Sequence, residues 1–170
     1  MAQTKVSFTI TSDGPEDTRA IAASLASLLE VGDLLILTGD LGAGKTCFTQ
    51  GLGAALGVQQ RITSPTFTLA NRYDGRLTLH HLDVYRLESV AETLDLDLPE
   101  LLESGATVIE WGDRILEVLP SDHLVVALRY PEPIEASVDT DREIEITAVG
   151  QHWRDRWDRV QSAVGSSESQ

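Results

Sequence analysis

Lysine is nearly missing from this sequence: of 13 basic residues only Lys5 and Lys45 are lysines. Against 27 acidic residues this leaves a formal net charge of −14. Phosphate backbones are gripped by clustered cations, so a charge this negative argues against a broad nucleic-acid contact, and any role in RNA biology is expected to run through a partner protein. Cysteine occurs once, at Cys47, which rules out an internal disulfide. That fits a reducing compartment, and a cytoplasmic location is the expectation. Long apolar runs are also missing. The longest candidate, around Leu34 to Thr38, falls far short of the roughly 18 residues that span a bilayer. The start, Met1 to Lys5, has no charged region followed by an apolar stretch, so no secretory leader is expected.

What is present suits one packed unit. The chain has 170 residues, 42% of them hydrophobic, enough for a single core. No repeat or linker interrupts it, so one domain is expected over residues 1–164, with a frayed polar tail at 165–170. Val6 to Ile10 alternates apolar and polar residues like a half-buried strand. A helix is predicted over Glu16 to Glu30, broken by Gly32-Asp33. Leu34 to Leu37 reads as a strand covered on both faces. A second helix runs from Thr46 to Leu56 and is closed by Gly57. Phe67 to Tyr73 and Leu77 to Val84 read as a hairpin turning at Asp74-Gly75. The stretch from Leu87 to Glu103 is leucine-rich and acidic. Ala106 to Trp111, His123 to Tyr130 and Ile144 to Val149 are further strands, with Pro131 and Pro133 breaking the chain before the last. Asp113 to Val118 and His152 to Val160 are short helices. Strands alternating with helices give an α/β sheet covered by helices.

Between the strand at Leu34 and the helix at Thr46 lies Gly39-Asp40-Leu41-Gly42-Ala43-Gly44-Lys45-Thr46, a G-x-x-x-x-G-K-[ST] phosphate loop in the context this motif requires. Its glycines let backbone N–H groups turn toward phosphate oxygens, and the following helix points its positive end at them. Lys45 suits the β- and γ-phosphates and the Thr46 hydroxyl suits magnesium. A nucleotide-binding ATPase is the reading that follows.

Hydrolysis needs an acid for the metal and a group to orient water. On the strand Leu77 to Val84, His81, Asp83 and Tyr85 share one face, and His80, Leu82 and Val84 the other. Asp83 is the candidate for the metal side, with a helix cap as the alternative. Glu110 stands at the tip of a buried strand, where α/β proteins place their sites; a surface carboxylate is the alternative. Trp111 beside it either packs over the site or fills core. Thr63-Ser64-Pro65-Thr66 is a hydroxyl-rich loop stiffened by proline, suited to carry a threonine to the γ-phosphate or to serve as an ordinary turn. Cys47, in the first helical turn, is placed where a thiolate is favoured or is a small buried filler. Trp153 and Trp157, spaced i, i+4, are expected to anchor the closing helix to the core, with a partner-binding face as the alternative.

Four motifs occur in order between about Thr38 and Arg114: the glycine loop, Thr63-Ser64-Pro65-Thr66-Phe67, His81-Leu82-Asp83-Val84-Tyr85-Arg86-Leu87, and Ile109-Glu110-Trp111-Gly112. Together they resemble the TsaE family, formerly called YjeE. These are bacterial P-loop ATPases needed to make threonylcarbamoyladenosine in tRNAs that read ANN codons. The resemblance implies the P-loop NTPase fold, with a central mainly parallel sheet flanked by helices and an antiparallel hairpin. It implies ATP or ADP and Mg2+ as ligands. It also implies two partner subunits, TsaB and TsaD, of which TsaD carries the transfer to tRNA, while ATP hydrolysis here resets the complex between turnovers. Carried onto this sequence, Lys45, Asp83 and Glu110 become the catalytic set, and Thr46, Asp83 and Glu110 the metal set. Asp40, Leu41, Gly42, Ala43, Gly44, Lys45, Thr46 and Cys47 surround the phosphates. Thr66 takes the switch-like position, Trp111 supports the site, and Thr11 and Thr18 border the nucleotide base. Because the only internal candidates for an arginine finger are Arg86 and Arg114, slow turnover alone and stimulation by the partners are expected. A small-molecule P-loop kinase is the alternative, although the acidic segment from Glu88 to Glu103 would make a poor phosphate lid. A module that uses nucleotide only as a structural ligand is a further one.

Overall fold

The structure, a computed structural model, describes residues 4–132 and 141–165. Pro133 and the tail residues 166–170 lie outside that range. In chain order the elements are β1 (Lys5–Ser12), α1 (Pro15–Ala26), β2 (Leu34–Thr38), α2 (Lys45–Ala55), β3 (Ala70–Tyr73), β4 (Leu79–Asp83), α3 (Val90–Leu94), α4 (Leu98–Ser104), β5 (Ala106–Glu110), a 3₁₀ stretch (Gly112–Val118), β6 (His123–Arg129), β7 (Arg142–Val149), α5 (Gln151–Asp155) and α6 (Trp157–Gly165).

The apolar run at Leu34 becomes the middle of a seven-stranded sheet in the order β1-β7-β6-β2-β5-β4-β3. β6, β2, β5 and β4 run parallel, while β3 pairs antiparallel with β4, and β7 antiparallel with both β6 and β1. The sheet is therefore mixed α/β, parallel in the centre and closed by antiparallel strands at both edges. β2 is apolar from Leu34 to Leu37 because both of its faces are covered. Leu35 and Leu37 join a large core with Ile21, Leu25, Phe48, Leu52 and Val160, from α1, α2 and α6. Leu34 and Ile36 join a smaller one with Leu82, Ile109 and Ile115. Truncating Phe48, fully buried between helix and sheet, to alanine would cost about 3–5 kcal/mol.

Several boundaries differ from the sequence expectation for identifiable reasons. α1 starts on Pro15, with Glu16 and Asp17 in its first turn, but stops at Ala26 rather than Glu30. Ser24 Oγ bonds back to Ala20 O and Ser27 Oγ to Ser24 O, and the chain tightens into three-residue steps at Leu28 and Leu29, as helix-end serines favour. α2 closes on Gly57, whose φ is +81°; Gly57 N–H donates to Ala54 O and Val58 N–H to Gly53 O, the paired bonds of a left-handed helix cap.

The hairpin strand expected from Phe67 begins only at Ala70, because Leu69 takes φ +66° and its N–H donates to Pro65 O at 2.8 Å. The hairpin loop then spans residues 74–78. Gly75 is required there by close approach: a Cβ would lie 2.3 Å from Leu56 O at the end of α2. The single closing helix is in fact two. α5 carries Trp153, wholly buried, and α6 starts at Trp157, which packs edge-on against Phe8 with centroids 5.4 Å apart. The break falls at Arg156, whose φ of −101° is not helical and whose guanidinium turns inward onto the Trp153 ring and Asp33.

Candidate functional site

The four parallel strands point their C-terminal ends at one edge of the sheet, and the chemistry gathers there. β2 ends at Thr38, and the loop through Gly39, Gly42 and Gly44 leads into α2. These glycines have φ of +142°, +79° and +111°, a region where a side chain is strained. At Gly39 a Cβ would also lie 2.5 Å from Leu128 O. The loop thus curls against β6 and delivers the free N–H groups of the α2 start to the same edge.

Lys45 opens α2 with its chain folded back: Nζ donates to Gly39 O at 2.7 Å and Asp40 O at 2.9 Å and lies 4.1 Å from the Trp111 ring centroid. It is only 7% exposed. Burial pushes its ammonium pKa down, and the carboxylates of Glu110, Asp83, Asp40 and Asp113 pull it back up. The next residue, Thr46, donates its hydroxyl to Glu110 Oε1 at 2.8 Å.

Glu110 and Asp83 are side by side because they end adjacent parallel strands in register, β5 and β4. Both are buried. Asp83 accepts the Thr66 hydroxyl at 3.0 Å on one oxygen and the Tyr85 N–H at 2.8 Å on the other. The strand alternation expected for β4 is seen directly. His81 turns to this side, its Nε2 3.4 Å from Glu110 Oε2. His80 turns to the other, its Nε2 2.8 Å from Ser104 Oγ.

These groups line a cavity of about 420 Å³ whose wall includes Leu41, Gly42, Gly44, Lys45, Thr46, Cys47, Ser64, Thr66, Asp83, Glu110 and Trp111. Trp111 packs on Tyr85 with centroids 4.9 Å apart. A second cavity of about 290 Å³ sits across the loop, lined by Thr18, Ala43, Cys47 and Arg142 among others. Of the two residues expected near a base, Thr18 lines that second cavity and bonds Ser12 Oγ at 2.6 Å. Thr11 stands apart on β1, paired with Glu143. Asp40 takes part through its carbonyl. At Cys47 burial pushes the thiol pKa up, against the pull of the Arg19 and Arg142 guanidiniums; Sγ donates to Pro15 O at 3.3 Å.

Arg142 is the residue sequence reasoning missed. From β7 its Nε donates to Ala43 O at 3.0 Å and its Nη2 to Gly42 O at 3.1 Å, while its guanidinium stacks on Tyr130. It braces the glycine loop from a hundred residues downstream, and no local pattern marks such a partner.

A buried parallel strand, a glycine loop over a helix start, an inward lysine, and a threonine and carboxylates beside it define a P-loop nucleotide-binding fold. Comparison with known proteins gives the particular family. The family model for threonylcarbamoyl adenosine biosynthesis protein TsaE matches residues 12–140. The chain is 44% identical to the tRNA threonylcarbamoyladenosine biosynthesis protein TsaE of Treponema pallidum over 132 residues, covering 77% of this chain and 93% of that one. It is 44% identical to the Bacillus subtilis protein of the same name over 140 residues, covering 82% and 84%. The crystal structure of YdiB of Bacillus subtilis superposes with a TM-score of 0.74 at 33% identity, covering 95% of this chain and 97% of that one. The chain belongs to the TsaE family.

Proposed function

We propose that this protein is the ATP-hydrolysing subunit of tRNA threonylcarbamoyladenosine synthesis, slow alone and stimulated by a TsaB–TsaD complex that its turnover resets. The observation that carries the reading is the convergence of Lys45, Thr46, Asp83 and Glu110 on one cavity. The donor set fits magnesium: a hydroxyl and two carboxylates are hard oxygen ligands, as Mg2+ prefers. Thr46 and Asp83 would hold the ion, with Glu110 in its shell or orienting water. Bound there, magnesium would supply positive charge that neutralises the phosphates. Lys45 would exchange the carbonyls of Gly39 and Asp40 for phosphate oxygens, a stronger pairing for a half-desolvated ammonium. The glycine loop would supply backbone N–H donors, and Arg142 would keep that loop in shape. Thr66, hydrogen-bonded to Asp83, is placed to answer a γ-phosphate. Thr18 is on the side proposed for the base.

Slow turnover alone follows from the arginines. Arg114 is committed to Tyr85 O at 2.5 Å. Arg86 lines the cavity but stacks over Phe67. Arg142 holds the loop. A finger supplied in trans is worth about 10³–10⁵ in rate, and a partner that supplied or released one would stimulate. The net charge of −14 supports contact with tRNA through TsaB and TsaD rather than directly. A single domain in the cytoplasm is part of the same proposal; among the described residues no helix is long and apolar enough to cross a membrane.

The test is ATP hydrolysis by the purified protein alone, then with TsaB, TsaD and tRNA, beside Glu110→Ala. Stimulation that Glu110→Ala removes is the expected result. Fast hydrolysis without partners, or a phosphorylated metabolite as product, would move the protein to a different activity.

A further inference from the structure

A second concavity lies away from the phosphate loop. It is larger, about 610 Å³, and apolar, with Leu94, Leu98 and Leu102 of α3 and α4 facing Val118 and Leu119 at the end of the 3₁₀ stretch. Leu98, Leu102, Val118 and Leu119 rest on the smaller core beneath, so the floor is fixed. Leu94 stands at the lip, 72% exposed, and extends the apolar floor outward.

Two further features say what fits. Thr93 lines the groove with its side chain 5% exposed, and its Oγ1 has no hydrogen-bond partner among the described residues. A buried hydroxyl left unpaired costs about 1–3 kcal/mol, a cost removed once a docked polar group meets it. The rim is of one sign. Asp97 lines the groove, the exposed Glu92, Asp95, Glu103 and Glu117 each adjoin a lining residue in sequence, and from Leu87 to Asp122 the only basic residue is Arg114. An apolar trough with acidic side chains beside it, in a stretch nearly without cations, selects apolar side chains carried between cations. A second copy of this chain, equally acidic, would be repelled.

We infer that the groove between α3, α4 and the 3₁₀ stretch is a docking surface for a protein segment whose apolar side chains are flanked by lysine or arginine. The segment's apolar residues fill the trough over Leu98 and Leu102, its cations pair with the rim, and one of its polar groups bonds the Thr93 hydroxyl. The inference does not depend on nucleotide hydrolysis, because the groove residues are distinct from those of the phosphate site.

The probe is a short amphipathic Leu/Lys peptide titrated into the full-length protein, with a Leu/Glu peptide of the same pattern beside it. Binding is read by fluorescence anisotropy and by amide chemical shifts. The Leu/Lys peptide is expected to bind saturably, with shifts centred on α3, α4 and residues 118–119. Leu94→Ser should weaken it about tenfold. Thr93→Val should weaken it a few-fold, as loss of one hydrogen bond does. Val31→Asp, a change at another exposed apolar residue, 56% exposed, should leave it intact. Equal binding of the Leu/Glu peptide, shifts spread over all acidic surfaces, equal weakening by Val31→Asp, or self-association through the groove in place of peptide binding would each overturn the assignment.

Discussion

Two buried charge clusters sit at opposite ends of the same parallel strands. At the C-terminal edge, Lys45, Asp83 and Glu110 surround open space. Near the start of β2, Asp33 is buried with Arg156: Nη2 to Oδ1 is 2.6 Å and Nη1 to Oδ2 is 3.0 Å. Nη1 also donates to Leu28 O at 2.8 Å, and Glu30 N–H caps Oδ2 at 2.8 Å. The Asp33 side chain is wholly buried, while the first cluster lines a cavity. A closed pair fixes where α5 and α6 join the sheet. An open set, held by carbonyls, hydroxyls and the Tyr85 N–H, retains bonds to exchange with a ligand. The comparison shows that burial of charge alone does not mark a functional site; what matters is whether its partners can be replaced.

The largest effect that would sharpen this contrast is at the closed end. Arg156→Met takes the guanidinium from buried Asp33, leaving it the Glu30 N–H and the His152 ring at 3.5 Å, and should cost about 3–5 kcal/mol of stability by urea unfolding. Adding Asp33→Leu should restore most of it, because replacing both partners of a buried pair is often nearly neutral. At the open end the signs separate: Glu110→Gln should lower partner-stimulated hydrolysis roughly a hundredfold, the scale of losing one electrostatic group in a site, yet shift stability by less than about 1 kcal/mol.

Lys45→Met should go further and raise stability, by about 0.5–2 kcal/mol in thermal unfolding. The lysine's pKa is depressed chiefly by burial, so just below its ordinary value the unfolded chain binds more protons and wild-type stability rises with pH there; the variant should lack that slope. The smallest effect concerns His80, whose pKa burial pushes down. As pH falls below the ordinary histidine value the unfolded state takes up the proton first, and stability drops. His80→Gln should flatten that decline, measured by denaturant midpoints across the range.

How legible the site was depends on how local its causes are. The glycine loop, Lys45 and Thr46 are contiguous and bear their chemistry in spacing. Asp83 and Glu110 could be read because each ends a buried strand, and two-residue alternation put His81 on their side. The apolar run at Leu34 revealed its buried central strand, and the order of motifs revealed the family. Other features depend on distant packing. Arg142 reaches the loop only because β7 pairs with β6 beside β2. The late start of β3 depends on Leu69 taking a left-handed turn that its residue type does not announce. The split between α5 and α6 follows from Arg156 turning in to meet Asp33, a partner far away in sequence. At Cys47 the first-turn position is legible, but the burial that pushes its pKa up depends on packing.

The central claim is that the open cluster is a nucleotide site. Its most direct test is calorimetric titration of ATP, with and without Mg2+, into the wild-type protein, Lys45→Ala and Arg156→Met at a temperature where all three are folded. The account predicts magnesium-enhanced binding to the wild type and to Arg156→Met, and none to Lys45→Ala. Unchanged ATP affinity in Lys45→Ala would contradict it.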